Sequence, residues 1–247
     1  MISDFFLALI LALIQGLTEF LPVSSSAHLL FPSLLFGAKD FGIVFDISVH
    51  AGTLAAVIYY FKKEILGLLH AWMPWSHNRS KENFSLGLHL IVATLPIVLV
   101  GLLASDLSES RSANINSIAW ANLIFAALLF AAYKSSSQSR SLAELTLFAA
   151  LIIGCFQALA VFPGASRSGM AITGALIIGL NINDASRFAF LLSIPTILGA
   201  LILMLAKGAF SIASSDMLIM LTGFIGSAFV AFFTIKSFLQ FVEKIGM

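Results

Sequence analysis

Two polar islands interrupt a chain of 247 residues that is 60% hydrophobic. The first places Gln15, Glu19, Ser24, Ser25, Ser26 and His28 within fourteen positions; the second, Pro163-Gly-Ala-Ser-Arg-Ser-Gly169, holds Ser166, Arg167, Ser168 and Gly169. Polar groups at membrane depth are costly and are usually kept for function. Gln15 and Glu19 are four apart and share a helix face. Their oxygens suit a hard divalent cation that completes its shell with water and substrate phosphate; the plainer alternative is a buried, hydrogen-bonded carboxylate. One of the three serines serves to cap a helix, and His28, three after Ser25 and four after Ser24, would lie over a hydroxyl. Such a pair supports nucleophilic attack or proton transfer, against the alternative of a histidine bonded for packing. Arg167 needs an anionic partner. Glu19 could be that partner in a structural ion pair. The surrounding Pro-Gly-x-Ser-Arg-Ser-Gly is equally a phosphate cradle, with serines at a helix N-terminus and a guanidinium that grips two phosphate oxygens. Together the islands point to phosphoryl transfer on a lipid-borne diphosphate. Ser25 is the expected nucleophile with His28 moving its proton; attack by His28 itself or by metal-bound water stays open. Asp46 and His50, one helical turn apart, are weaker candidates that could line the same cavity or form a buried pair. His89 is read as structural.

The elements that must carry these residues follow from hydropathy. Charged residues make up 10% of the chain, against about 25% in soluble domains, so this is expected to be an all-α polytopic membrane protein, one domain over 1–247. The net charge of +1 argues against a nucleic-acid partner. The single Cys155 excludes an internal disulfide. Residues 5–21 are apolar but slightly short of a span. Pro22 breaks them, and 27–37 is too short to cross: a re-entrant helical hairpin, which survives at depth when buried in protein. Spans are expected over 43–61, 86–104 and 115–133. After the serine-rich linker 135–141 the plan restarts: 145–162, a break at Pro163-Gly164, a short piece 170–180, then spans over 188–206 and 217–241. With Pro22 matched to Pro163, the halves, about 1–134 and 142–247, read as an inverted-topology repeat with two re-entrant hairpins and about five full spans.

Basic residues set the sidedness. With the first hairpin entering from outside, Lys62, Lys63, Arg79, Lys81, Lys134, Arg140, Arg187, Lys236 and Lys244 face the cytoplasm. Lys39, Arg111 and Lys207 face outward. The second hairpin then enters from the cytoplasmic side, and the two tips meet near the midplane.

These motifs resemble those of the undecaprenyl-diphosphate phosphatases, the bacitracin-resistance family: Gln15-x-x-x-Glu19, Pro22-Val-Ser-Ser-Ser-Ala-His28, Asp46-Ile-Ser-Val-His-Ala-Gly52, Pro163-Gly-Ala-Ser-Arg-Ser-Gly169 and Phe188-Ala-Phe-Leu-Leu-Ser-Ile-Pro195. The resemblance covers nearly the whole chain. It implies a multi-pass enzyme of the bacterial inner membrane that hydrolyses undecaprenyl diphosphate to the monophosphate. That reaction recycles the carrier for cell-wall polymers and confers bacitracin resistance. It also implies Glu19, Ser25, His28 and Arg167 as catalytic residues, Gln15, Ser24, Ser26, Ser166, Ser168 and Gly169 at the substrate, and Mg²⁺ or Ca²⁺ held by Glu19 and Gln15. The partners expected are the polyprenyl diphosphate, membrane lipids and, as a possible assembly, a homodimer. Ala27 stands where the family usually has Gly, and one further C-terminal span is usual in it. The competing function is a polyprenyl-phosphate flippase, because inverted repeats with broken helices are also a transporter plan; the Ser–His–Glu set, which binding alone does not need, favours hydrolysis. The acid-phosphatase-like lipid phosphatases are excluded, since Thr173 stands where that class needs a histidine six residues after the arginine.

Overall fold

The computed structural model describes residues 2–73, 80–103, 114–206 and 217–245. Arg79, Arg111 and Lys207 of the sidedness argument lie outside these residues. The described chain is all-helical, its one β-type pairing being an isolated bridge between Arg140 and Leu180. Ten α-helices follow in order: α1 Ile2–Thr18, α2 Ser25–Phe36, α3 Ile43–Tyr60, α4 Lys62–Trp72, α5 Lys81–Leu103, α6 Ile115–Ser135, α7 Leu147–Ala158, α8 Arg167–Ile177, α9 Ile182–Ala206 and α10 Met217–Ile245. Five of them (α3, α5, α6, α9 and α10) are long and apolar enough to cross a membrane. Their outer faces carry Leu103, Trp120, Phe130 and Phe229, all well exposed. An apolar surface this extensive is at home in lipid rather than in water. Helix α4 occupies part of the stretch between the expected spans 43–61 and 86–104, where no helix was expected and the basic residues Lys62, Lys63, Arg79 and Lys81 stand.

Four of the five shorter helices, α1, α2, α7 and α8, form two hairpins. In the first, α1 ends at Thr18 and α2 begins at Ser25. Its strands of helix are antiparallel: Leu29 of α2 packs beside Ala8 and Leu11 of α1, and Lys39, just past α2, pairs at 3.2 Å with Asp4 near the start of α1. The second hairpin joins α7 to α8 through the 3-10 turn Leu159–Val161 and Pro163-Gly164. Gly164 sits at φ 98 in the left-handed region that favours glycine. The open end of this hairpin is closed by main-chain hydrogen bonds, Arg140 N–H to Gly179 O and Asn181 N–H to Arg140 O, each 3.0 Å.

The caps fix the correspondence between the halves. Ser24 caps α2 by accepting from Ala27 N–H, and Ser166 caps α8 by accepting from Gly169 N–H. These serines are 142 positions apart, one more than the two prolines, so Pro22 stands opposite Gly164 rather than Pro163. In that register α3 overlies α9 and α5 overlies α10, and the packing is reciprocal: α1 lies on α10 while α7 lies on α5. Both contacts are close because one partner lacks a Cβ. A methyl on Gly16 would fall 2.6 Å from Val230 Cβ, and one on Gly154 would strike the Ala93 backbone. Small residues at such crossings are what lets membrane helices approach.

The hairpins enter the bundle from opposite ends. The open end of the first lies beside the N-terminus of α3, which follows it directly. The second opens beside the N-terminus of α9, where Asp184 accepts from Leu142 N–H at 2.8 Å. Arg187 of α9 pairs with Glu64 of α4 at 2.9 Å, which sets the start of α9 beside the far end of α3. The tips therefore approach each other inside the bundle. Phe20 of the first tip is fully buried and meets Phe190 of α9 edge-on at 5.3 Å.

Candidate active site

At the meeting point the Glu19 carboxylate is surrounded by donors. Its Oε1 receives Arg167 Nη2 at 2.6 Å. Its Oε2 receives Ser25 Oγ at 2.7 Å and Gln15 Nε2 at 2.8 Å, and His50 Nε2 stands 3.6 Å from the same oxygen. Each arrives from a different place: Gln15 from the last turn of α1, Ser25 from the first residue of α2, His50 from α3, Arg167 from the first residue of α8. The Glu19 side chain is 3% exposed against 22% for Arg167, so the pair opens toward its cationic side. A carboxylate buried to this degree is tolerable because it is paired and hydrogen-bonded at both oxygens.

The second tip is also stitched to the first. Leu21 O, in the turn after Glu19, accepts from Ser168 Oγ at 2.9 Å and from Ser166 Oγ at 3.4 Å. Gly169 lies at this seam, where a Cβ would come 3.4 Å from Pro22 Cα and 3.2 Å from Ser166 Cβ. The two serines expected to cradle phosphate therefore hold the tips together, with Ser166 doubling as the α8 cap. Ser24 is the α2 cap. Ser26 faces a small cavity of about 40 Å³ between α1, α2 and α3, together with Asp46 and His50.

The imidazole that meets the carboxylate is that of His50, while His28 turns to its own backbone rather than to a serine hydroxyl. His28 Nδ1 binds Ser24 O, four residues back on its own helix, at 2.7 Å, and its ring packs on Phe31 at 5.2 Å; neither contact is to a serine hydroxyl. His50, the weaker candidate by sequence, reaches the site. Its signal was the one-turn spacing from Asp46, and the link runs through the Asp46 backbone carbonyl, 2.7 Å from His50 Nδ1. His89 is buried in α5, as expected of a structural residue.

For a divalent cation the fit is partial but specific. Among the described residues no three His, Cys, Asp or Glu side chains converge. Gln15 Oε1, however, is buried without a hydrogen-bond partner, on the same amide whose Nε2 touches Glu19. Turning that amide would set an unsatisfied carbonyl oxygen beside a carboxylate oxygen, a hard-oxygen donor set of the kind Mg²⁺ and Ca²⁺ use.

Chemically, the arrangement offers a hydroxyl whose proton is already directed at a carboxylate, and an arginine able to exchange that carboxylate for an anion. The sequence model of the family described as bacitracin resistance protein BacA matches residues 8–247. The chain is 45% identical to a protein of Saccharophagus degradans named undecaprenyl-diphosphatase, over 99% of this chain and 92% of that one. It is 44% identical to one of the same name from Alcanivorax borkumensis, with the same coverage, and 43% identical to one from Teredinibacter turnerae, over 99% and 93%. With a match of this extent carried across both tips of the site, the chain belongs to the bacitracin resistance protein BacA family.

Proposed function

We propose that this protein hydrolyses undecaprenyl diphosphate to undecaprenyl phosphate and inorganic phosphate. The observation that carries the reading is the shared carboxylate: Ser25 Oγ and Arg167 Nη2 sit on the two oxygens of Glu19 at 2.7 and 2.6 Å. A diphosphate entering from the more exposed side of Arg167 would draw the guanidinium onto its phosphate oxygens, where a two-pronged contact is available. Ser25 Oγ then attacks the terminal phosphorus while Glu19 takes its proton. The bond to the bridging oxygen breaks, and undecaprenyl phosphate leaves. Water hydrolyses the phosphoserine, releasing inorganic phosphate and restoring Ser25. Arg167 stabilises charge that grows on the transferring phosphoryl oxygens. His28, whose Nδ1 is taken by Ser24 O, keeps Nε2 for proton transfer to or from the substrate. Gln15 and Glu19 would hold a divalent cation, Mg²⁺ or Ca²⁺, which when bound neutralises diphosphate charge and polarises the phosphorus–oxygen bond.

The setting we propose is the bacterial inner membrane, with the two hairpins re-entrant and the halves forming an inverted repeat. Carrier-lipid recycling for the cell wall and bacitracin resistance follow from that place and reaction. The ion pairs support this sidedness: Asp4 with Lys39, and Glu64 with Arg187, each join residues assigned to one side. The test is phosphate release from undecaprenyl diphosphate by purified protein, with and without chelator, and phosphoserine at Ser25 in rapidly quenched samples. Release that chelator suppresses, with label on Ser25, is expected. Release without label would move the attack to water and leave Ser25 a binding group. No release from any polyprenyl diphosphate would overturn the function.

A further inference from the structure

We propose that His50 is a third protein ligand of the cation at Glu19, making the site a mixed nitrogen–oxygen site rather than an all-oxygen one. The inference rests on the reading of Gln15 and Glu19 as cation ligands and adds to it a residue, a donor type and a metal preference.

The geometry around His50 is that of a ligand waiting for an ion. Its Nδ1 lies 2.7 Å from Asp46 O. A carbonyl can only accept, so Nδ1 carries the hydrogen and a neutral ring presents a lone pair at Nε2. Metal-bound histidines are oriented in this way, the second nitrogen donating to a backbone carbonyl or a carboxylate. Nε2 faces Glu19 Oε2 at 3.6 Å, and both side chains are nearly sealed from solvent, 14% and 3% exposed. Two acceptors face each other there with no donor between them. The gap is too long for a charge-assisted hydrogen bond, about 2.7–2.9 Å. It is close to the ~3.4 Å that separates two ligands each about 2.1 Å from one tetrahedral ion and to the ~3.3–3.7 Å between neighbouring ligands of Ca²⁺, and longer than the ~3.0 Å between those of octahedral Mg²⁺ at about 2.1 Å. Gln15 Oε1, on the amide whose Nε2 touches the same carboxylate, is buried and without a partner. Glu19 Oε2 now accepts from Gln15 Nε2 and Ser25 Oγ; turning the Gln15 amide would bring three donor atoms, from α1, α3 and the first tip, to one ion.

An imidazole changes what the site prefers. Carboxylate, carbonyl and water oxygens suit Mg²⁺ and Ca²⁺, whereas imidazole suits later first-row ions. Mn²⁺, which takes oxygen readily and nitrogen as well, is the most accessible probe. Three protein ligands also predict binding without the lipid, which a two-oxygen site completed by substrate phosphate does not.

The experiment uses the full chain in detergent, without lipid substrate, titrated with Mn²⁺ and followed by electron paramagnetic resonance. Saturable Mn²⁺ binding with electron-spin-echo modulation from a directly bound imidazole nitrogen is expected. His50→Gln should remove the nitrogen modulation and weaken Mn²⁺ binding on the order of 10-fold or more, with a smaller change for competing Mg²⁺. No Mn²⁺ binding without lipid, bound Mn²⁺ lacking nitrogen modulation, or His50→Gln binding as the parent does would each overturn the proposal. The wild-type spectrum decides the matter even where the variant folds poorly. Glu19→Gln separates the two levels. If it abolishes Mn²⁺ binding while the wild type shows no nitrogen modulation, the cation sits at Glu19 and His50 alone is misassigned. If Glu19→Gln leaves binding unchanged, the cation reading of Glu19 falls with it, whereas the phosphatase reading stands or falls on phosphate release.

Discussion

The two hairpins share a plan and differ in what surrounds them. In the second, every residue of α8 from Ser168 to Leu176 is buried, against α6, α7 and α9. In the first, α2 buries only Ser25, Ala27 and Leu30, and Phe36 at its end is 83% exposed. The chemistry is divided in the same way. In the 142-residue register Ser25 stands opposite Arg167, Glu19 opposite Val161, His28 opposite Met170 and His50 opposite Leu192. The first half supplies the hydroxyl, the carboxylate and both imidazoles of the site; the second supplies one cation on a frame. A guanidinium that must meet a diphosphate in one geometry gains from a rigid mount. A reacting tip that must part from it to admit substrate gains from sparse packing, since weakly packed segments open at least cost. Within the first hairpin it is α2, with Ser25, that is sparsely packed, whereas α1, which leads to Glu19, is held against α10 across Gly16; admission of substrate should therefore move α2.

The largest way to break the comparison is to remove its two poles. Glu19→Gln keeps the shape of the side chain but loses the proton acceptor for Ser25, and should abolish phosphate release while the protein remains monodisperse. Arg167→Ala should lower turnover on the order of 10³-fold or more. Arg167→Lys should recover only part, because a point charge cannot make the two-pronged contact. Full activity in Arg167→Lys would show that charge alone matters, and that the rigid frame contributes nothing.

A smaller effect separates frame from tip. A Cβ on Gly174 would lie 2.9 Å from Phe156 Cβ and 3.1 Å from Ile153 Cα, in the seam between α7 and α8. Gly174→Ala should cost on the order of 1–3 kcal/mol by overpacking, seen as a lower melting temperature in detergent. Gly169→Ala meets only ordinary or slightly tight contacts, 3.2–3.4 Å, at Ser166 and Pro22. It should leave melting nearly unchanged but raise KM by shifting one tip against the other. Equal melting losses at both positions would erase the distinction.

Much of this was legible in the sequence because it depends on local signals. Five apolar stretches long enough to span, two breaks followed by serines, and an acid and an arginine at depth all follow from hydropathy and helix chemistry. Three features were hidden, each for a physical reason. Helix α4 lay inside an apparent basic loop because its lysines and Glu64 read as a charged linker. The one-residue difference between the spacing of the prolines and that of the caps was hidden because proline marks a break without fixing where the next helix is capped; the caps are at Ser24 and Ser166. The approach of His50 to Glu19 was hidden because i,i+3 and i,i+4 spacing tells only which side chains can meet on one helix. A helical histidine can instead turn its Nδ1 to its own i−4 carbonyl, as His28 and His50 both do. Which of them reaches Glu19 is a matter of tertiary packing.

The smallest expected effect tests the open ends of the hairpins. The first is closed by Lys39 and Asp4, whose side chains are 56% and 29% exposed. Exposed pairs of this kind contribute about 0–1 kcal/mol, so Lys39→Ala should shift melting barely at all and less still in high salt. The second is closed by main-chain bonds and by Asp184, which accepts from Leu142 N–H at 2.8 Å and from Asn181 Nδ2 at 3.0 Å. Asp184→Ala strands a partly buried amide, a loss of about 1–3 kcal/mol. Hydrogen exchange at the Leu142 amide should accelerate in Asp184→Ala, while exchange at α2 in Lys39→Ala should stay as fast as in the parent, because little held it there. If Lys39→Ala instead proves the more damaging of the two, the first hairpin is held at its open end after all. The movement that admits substrate would then have to come from the second.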